Sequence, residues 1–546
     1  MSILKFYENR DIFVTGATGF LGKILLEKLL RTCNARKIYI LVRSKKGMSV
    51  DERKNELFRC KIFEEVLLKN SDISNQVECI EGNMSRQNLG ISSTHMSLIK
   101  KNVSVVFHLA ASVKFNEPFR DSFMNNVETT RNLIEVCRQM EHLLVLVHAS
   151  TAYSFCNREE VDEKIYTMSR TYEEYKIIAD LQINHSLEIT DENILEGRPN
   201  TYTLTKAITE IYLNNFCRDL PIIIVRPSIV GCTWTEPICG WNDSLSGPNS
   251  LIAAGVKGLI STMWTDEGKR LDLIPADTAI NLMLAAAWRK TIIPHRREDE
   301  IPVYNCTSGS INPLTWRMLL ECLTVLRWNY PSENMFLYPE TVSKRNYYWN
   351  RVCIAMQHYF PAMLYDTFQV AVRRKPMMMK IYKNVHKTME VLEYFCVREW
   401  MFRADNVEKL FKSMSTQDKQ NFNFDISKLS WDKYLENYVL GTRRYVLKED
   451  DSTIPRSQKT LLRQAYGSFQ EIRKFSYLQI CITKKLKILN FMKRFGRIPL
   501  GMSCGDFFVI TRKTPLKASE ALHSAFSIVC DVRKSSRRCG TSTLTL

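Results

Sequence analysis

The chain has 546 residues, 45% hydrophobic, 10% aromatic and 25% charged, a globular composition that excludes collagen, coiled coil and wholesale disorder. Its 76 Lys and Arg against 58 Asp and Glu give a net charge of +18, yet residues 452–546 alone hold 18 Lys and Arg against 4 Asp and Glu. A nucleic-acid binder spreads basic charge over a folded face, whereas a polybasic tail suits an anionic membrane surface or solubility, so no nucleic-acid partner is expected.

Short apolar runs at Asp11–Thr15, Lys37–Val42, Val77–Ile80, Val103–Leu109, Leu143–Val147 and Pro221–Val225 read as strands. Helical material separates several of them, beginning with the amphipathic stretch Leu21–Arg31. That alternation predicts an α/β fold with a doubly wound parallel sheet. Beyond about residue 300 the chain turns rich in aromatics and Met, with helix-length periods such as Met377–Phe395, and reads as a smaller, separate helical domain. The expected units are 1–300 (sheet domain), 301–345 (connecting segment or lid), 346–450 (helical domain) and 451–546 (basic tail).

No run of about 18 apolar residues is present, so no spanning helix is predicted. Thr278–Trp288 and Leu522–Val532 are too short, and Tyr477–Met492 is broken by Lys484, Lys485 and Lys487. The tail's basic residues, interleaved with apolar ones, suit an interfacial helix or a disordered extension. Sixteen Cys form no C-x-x-C pair, and no secretory stretch precedes Asp11. A reduced, cytosol-facing chain without a metal site is expected.

Three motifs carry chemistry. In Thr15-Gly16-Ala17-Thr18-Gly19-Phe20-Leu21-Gly22, between a strand and a helix, three glycines permit a sharp turn, close approach to a pyrophosphate and tight helix packing. The backbone of Gly16, Thr18, Gly19, Phe20, Leu21 and Gly22 is therefore placed on a dinucleotide, at a helix N-terminus that favours anions. At the end of the second strand, Arg43-Ser44-Lys45-Lys46 is cationic where an acidic residue would bind NAD. Arg43 is placed to take a 2′-phosphate, and NADPH is the expected cofactor. Tyr202 and Lys206, at i and i+4, share a helical face. The ammonium is expected to lower the phenol's pKa and make it a usable acid. Ser150 and Thr151, at a strand end, supply a hydroxyl to polarise a carbonyl, while Tyr153 is left to packing. Gly501-Met502-Ser503-Cys504-Gly505 has nucleophile-elbow spacing with His523 downstream, but the basic tail has no room for the hydrolase sheet an elbow needs.

Together these residues resemble the extended short-chain dehydrogenases/reductases, and within them the alcohol-forming fatty acyl-CoA reductases of eukaryotes. The resemblance runs over residues 6–450. It includes Thr15–Lys28, Val106–Phe115, His148–Tyr153, Pro199–Lys206, Arg226–Val230, Glu236–Pro248 and Ile274–Asp277. In the later part it rests on Tyr394-Phe395, Trp400-Met401-Phe402, Trp431–Tyr434 and Gly441–Arg443. It implies a Rossmann-type sheet and the catalytic set Tyr202, Lys206 and Thr151 or Ser150, with Thr151 slightly favoured. Ala110, Ala111, Pro227, Ser228 and Ile229 would wall the nicotinamide and ribose. Asn83 stands where the family has Asp facing adenine, and an amide can still bond the base. Asn126 stands where it could help fix that wall, though a structural hydrogen bond is its expected role.

The implied reaction is reduction of a long-chain fatty acyl-CoA, through an aldehyde, to a primary alcohol with two NADPH. An acyl tunnel is expected between the two domains, with Met377–Met379 and the aromatics at Tyr347–Trp349 as candidate lining, although such a Met and aromatic stripe is more often ordinary core. The implied setting is the cytosolic face of endoplasmic reticulum or peroxisome. The alternatives are a nucleotide-sugar epimerase or dehydratase and a catalytically silent lipid-binding relative. Chain length, organelle and oligomeric state are not legible.

Overall fold

The structure is a computed structural model describing residues 1–44, 47–181, 191–245, 247–292, 300–333, 335 and 341–462, with two short strands at 502–503 and 509–510. Seven parallel strands form one sheet: β1 (Asp11–Thr15), β2 (Lys37–Val42), β3 (Val77–Glu81), β4 (Val103–His108), β5 (Val145–Ala149), β6 (Ile222–Pro227) and β7 (Val303–Cys306). Their order is 7-6-5-4-1-2-3. Parallel strands covered on both faces must be apolar on both sides, and β1 is buried at every position. Ile12 and Val14 enter one core while Phe13 enters the other.

The order reverses between β1 and β4, which pair in parallel with Thr15 opposite His108. Ligands bind in the crevice beyond the carboxyl ends of strands at such a reversal. There β1 feeds α1 (Phe20–Thr32), and β5 feeds a segment leading to α2 (Thr201–Phe216).

The structure adds several features to the sequence expectation. The seventh strand, Val303–Cys306, lies just beyond the boundary expected at residue 300. It is only four residues long and follows Pro302, so it carries little signal of its own; pairing of Cys306 with Pro227 defines it. The apolar run Thr278–Trp288 sits in a helix, Ala276–Ile292, buried along nearly its whole length. Its alanines let it lie close against α1, β5 and β6. The helical part does not stand apart: residues 1–458 form one compact unit. In the second unit, 459–546, Met502–Ser503 pairs antiparallel with Val509–Ile510. The remaining tail features named above, including Lys484–Lys487 and His523, lie outside the described residues, and no described helix is long and apolar enough to cross a membrane.

The later elements that bear on the site are α3 (Pro248–Val256), α4 (Trp316–Asn329), α5 (Tyr347–Ile354), α6 (Phe360–Ala371), α7 (Met378–Cys396) and α8 (Trp431–Gly441). Two backbone approaches join this region to the sheet domain. Gly240 has φ +73°, and a Cβ on Gly441 would lie 1.7 Å from the Gly240 carbonyl oxygen. Met401–Phe402 pairs with Glu160–Val161.

Candidate active site

The turn after β1 needs its glycines. Gly16 has φ +79°, and a Cβ there would lie 2.6 Å from the Ala110 nitrogen beyond β4; one on Gly22 would lie 2.2 Å from the Gly16 oxygen. Gly19 is the N-cap of α1 with no side-chain cap, so the helix's first N–H groups face the crevice. The Phe20 ring points elsewhere and stacks on Trp241 at 5.4 Å, and Leu21 packs on the core, so backbone is what Phe20 and Leu21 present. Ala110 backs the loop, with Ala111 following in a partly buried position.

At the far end of the crevice Arg43, Asn83 and Arg86 line one polar cleft. Arg43 is exposed and Asn83 is partly tied, its Oδ1 accepting from the Ser85 N–H at 3.1 Å. Lys45 and Lys46 lie outside the described residues.

The catalytic candidates meet where β5 ends beside the start of α2. The Asn200 side chain caps α2 by accepting from the Thr203 N–H at 2.9 Å, which fixes the first turn carrying Tyr202. Thr151 and Tyr202 share the cavity wall with Ser228 and Ile229, which follow Pro227 at the end of β6. Burial pushes the Tyr202 phenol up to about 12, against the pull of its hydrogen bond with Thr151. The Lys206 ammonium donates to the Ala149 carbonyl at 2.7 Å. Burial brings it down to about 8, with the Glu210 carboxylate opposing. This corrects the expectation that the ammonium lowers the phenol's pKa: in this geometry desolvation of Tyr202 dominates, and Lys206 is held on a carbonyl behind it. Tyr202 is therefore a protonated donor across the neutral range.

Ser150 and Thr151 separate cleanly. Ser150 donates to the Glu210 carboxylate, which also accepts from Ser154 and from the Arg226 guanidinium, a pair fully buried at both partners. Ser150 thus belongs to a structural network, and Thr151 alone of the two faces the cavity. Sequence reading missed this network; the signal was Glu210, four residues beyond Lys206 in a helix otherwise apolar there. Asn126 has the bracing role expected, bonding both backbone groups of Ser112 and the Thr205 hydroxyl. Tyr153 is packing, edge-on to Phe395, Trp400 and Phe402 at 5.0–5.3 Å.

Beside Tyr202 an apolar cavity of about 220 Å³ lies between the sheet domain and the later helices. Leu251 and Ile252 of α3, Leu319 and Leu323 of α4, and Leu392 and Phe395 of α7 are among its walls. Met377–Met379 and Tyr347–Trp349 are not. Met377 and Trp349 are instead half exposed or more, at 50% and 58%. Periodicity could place these side chains on a helix but not say which face of that helix meets the sheet.

Residues 14–283 match an NAD-binding family model described as "Male sterility protein", and 357–449 match a second model, Sterile, described in the same words. Fatty acyl-CoA reductase 1 of Mus musculus is 39% identical over 465 residues, covering 84% of this chain and 89% of its own. The Homo sapiens protein of that name is 38% identical over the same shares.

The chain belongs to the fatty acyl-CoA reductase family.

The reductase is accordingly an oxidoreductase with a nicotinamide-cofactor domain. Fatty acyl-CoA reductase 2 of Mus musculus is 38% identical over 475 residues. Among solved structures, the terminal R domain of the myxalamid PKS-NRPS pathway superposes with TM-score 0.54 at 18% identity, covering 81% of this chain and 92% of its own. The reductase domain of a non-ribosomal peptide synthetase from Mycobacterium tuberculosis gives 0.53 at 15%, over 81% and 93%. At these identities the likeness is one of fold, an extended reductase sheet with a C-terminal helical part.

The reductase's residues fit the cofactor. The space a Cβ would fill at Gly16 and Gly22 is taken by backbone, as a pyrophosphate-binding turn requires, and α1 leaves its first N–H groups uncapped. Thr151→Val is expected to lower kcat by about 10²–10³-fold, as loss of an oxyanion donor does. Ser150→Ala is expected to leave kcat nearly unchanged and to cost about 1–3 kcal/mol of stability. Steady-state rates and denaturant melts of the two variants check the division; equal losses of turnover would return Ser150 to the catalytic set.

Proposed function

We propose that the reductase converts a long-chain fatty acyl-CoA to the primary alcohol, with NADPH as reductant and an aldehyde as intermediate. The observation that carries this reading is that Tyr202 and Thr151 line an otherwise apolar cavity. An acyl chain suits such walls, whereas a nucleotide sugar needs polar partners for its hydroxyls, which these walls scarcely offer.

When bound, the nicotinamide supplies hydride. Tyr202 donates its proton to the thioester carbonyl oxygen as charge builds there, and Thr151 donates a second hydrogen bond. The resulting hemithioacetal loses its C–S bond, releasing CoA thiol and leaving the aldehyde. In the second reduction Tyr202 protonates the alkoxide. Lys206, fixed on the Ala149 carbonyl, keeps a positive charge in the site and grips the cofactor ribose. A second, more polar cleft shares Val113, Phe115, Gly247 and Leu392 with the channel and carries Lys114 and Lys387. Glu117 and Asp121 line it too, and Lys114 lies 4.0 Å from Glu117, so its two cations are balanced by two carboxylates.

Arg43 supports NADPH over NADH. Arg43→Ala is expected to raise the KM for NADPH by about 10-fold or more, the worth of one charge-assisted hydrogen bond, and to leave the KM for NADH unchanged. Parallel titrations with the two cofactors read this directly. The twelve described free thiols are consistent with a reducing, cytosol-facing setting, and we place the enzyme at the surface of endoplasmic reticulum or peroxisome.

The test of the reading is NADPH oxidation over a panel of acyl-CoAs with product analysis. Alcohol at half the NADPH consumed is the expected result. Aldehyde alone would remove the second step, and no acyl-CoA-dependent oxidation would overturn the reading.

A further inference from the structure

Helices normally bury their apolar face and expose their polar one. The stretch from α5 through α6 departs from this. Its inner side carries several polar groups among the apolar residues Cys353, Ile354 and Ala362. The Asn350 side-chain oxygen accepts from the Thr262 hydroxyl at 2.8 Å. His358 Nε2 accepts from the Ser261 N–H at 3.0 Å, and its Nδ1 meets His386 Nε2 at 2.9 Å. The Asp366 carboxylate takes the N–H groups of Met377, Met378 and Met379, at 2.9–3.0 Å, at the start of α7. All three side chains, Asn350, His358 and Asp366, are buried.

Its outer side is apolar. Trp349, Val352, Met356, Phe360, Leu364 and Phe368 recur every three or four residues and are 46–61% exposed. They form one continuous stripe, unlike the scattered apolar side chains of an ordinary surface. At the end of α6 the chain turns through Arg373-Arg374-Lys375, all exposed. Between residues 345 and 389 there are eight Lys and Arg and one acidic residue, the buried Asp366.

We infer that the outer face of residues 347–372 docks into the interfacial layer of an anionic lipid bilayer, with Arg373, Arg374 and Lys375 on its headgroups. A broad apolar face with a basic border is the pattern of a helix lying in a membrane surface. Pairing with a second copy fits less well, because a two-fold contact sets the same patch against itself and brings the two basic turns together. The opposite, buried side of α6 lies near the channel. Leu259, next to the channel-lining Ile260, packs against Ala362 of α6 and Met378 and Tyr382 of α7. If the proposed function holds, the long-chain product has a bilayer beside the channel that makes it.

The test uses the full-length chain and needs no substrate, so its outcome is independent of the catalytic reading. Flotation is measured with vesicles of phosphatidylcholine and phosphatidylserine, at low and at raised salt. The wild-type chain is expected to float and to remain largely bound at raised salt. Leu364→Glu/Phe368→Glu is expected to bind on the order of 10-fold less while keeping the wild-type melting temperature. Arg373→Glu/Arg374→Glu should weaken binding chiefly at low salt. Phe368→Gln is a gentler second variant should the double change disturb folding, and it should show a smaller loss of the same kind. Flotation of these variants equal to wild type would place membrane binding elsewhere in the chain and overturn the inference. So would no wild-type binding, or a wild-type dimer that Leu364→Glu/Phe368→Glu splits into monomers.

Discussion

Tyr202→Phe is expected to reduce turnover by about 10²–10⁴-fold, the range of a positioned general acid, with cofactor affinity unchanged. The substitution removes one oxygen and keeps the ring against Phe115, 5.4 Å away between centroids, so packing at the channel head survives. Cofactor titration by fluorescence and single-turnover rates separate binding from chemistry. Full activity in the variant would remove Tyr202 from the mechanism. The same geometry sets the pH dependence. With its phenol pushed up to about 12, Tyr202 stays protonated throughout the working range. Lys206, lowered to about 8 by burial, keeps its charge below that pH and loses it above. Thus kcat/KM should fall with an alkaline limb near pH 8, and Lys206→Arg should move that limb upward, because guanidinium does not deprotonate there. An unmoved limb would assign the titration to another group.

Glu210→Ala is expected to destabilise the fold by about 3–5 kcal/mol. Glu210 and Arg226 are both fully buried, and the guanidinium's other contacts are the backbone carbonyls of Asp162 and Lys164 and the Phe155 ring, 5.1 Å away. Removing the carboxylate leaves a positive charge in the core without its counter-ion, and Ser150 and Ser154 lose their acceptor. Glu210→Leu/Arg226→Met, which removes both charges at similar volume, should recover much of the loss, since a buried pair gains little over a well-packed apolar replacement. Equilibrium denaturation of the single and double variants measures this. A single variant as stable as wild type would mean that water reaches the pair.

The tolerance of the cofactor turn is bounded by backbone alone. At Gly16 a side chain meets the Leu109–Ala110 backbone, and φ +79° disfavours any residue with a Cβ. That requirement was visible in the sequence because it is local: three glycines between an apolar run and an amphipathic helix leave few other structures. The basic residue ending β2 and the Tyr202–Lys206 spacing were legible for the same reason. Six of the seven sheet strands were also legible, since strands buried on both faces are continuous apolar runs, and the edge strand β3, part exposed, still keeps Val77, Cys79 and Ile80.

What the sequence by itself determined was therefore the parallel sheet, the cofactor turn and the types of residue at the chemistry. The rest depended on contacts between distant segments. Ser150 and Thr151 are adjacent and chemically alike, and only the packing of α2 against β5 sends one to Glu210 and the other to the channel. The seventh strand exists because Val303–Cys306 finds an open edge at β6. The channel belongs to leucines and isoleucines from several separate segments, while Tyr348, Trp349 and Met377 face outward and Met378 packs under α6. Periodicity identifies a helix and its two faces; which face turns inward is decided by hydrogen bonds such as those of Asn350 and His358 to Thr262 and Ser261, made across about 90 residues of chain.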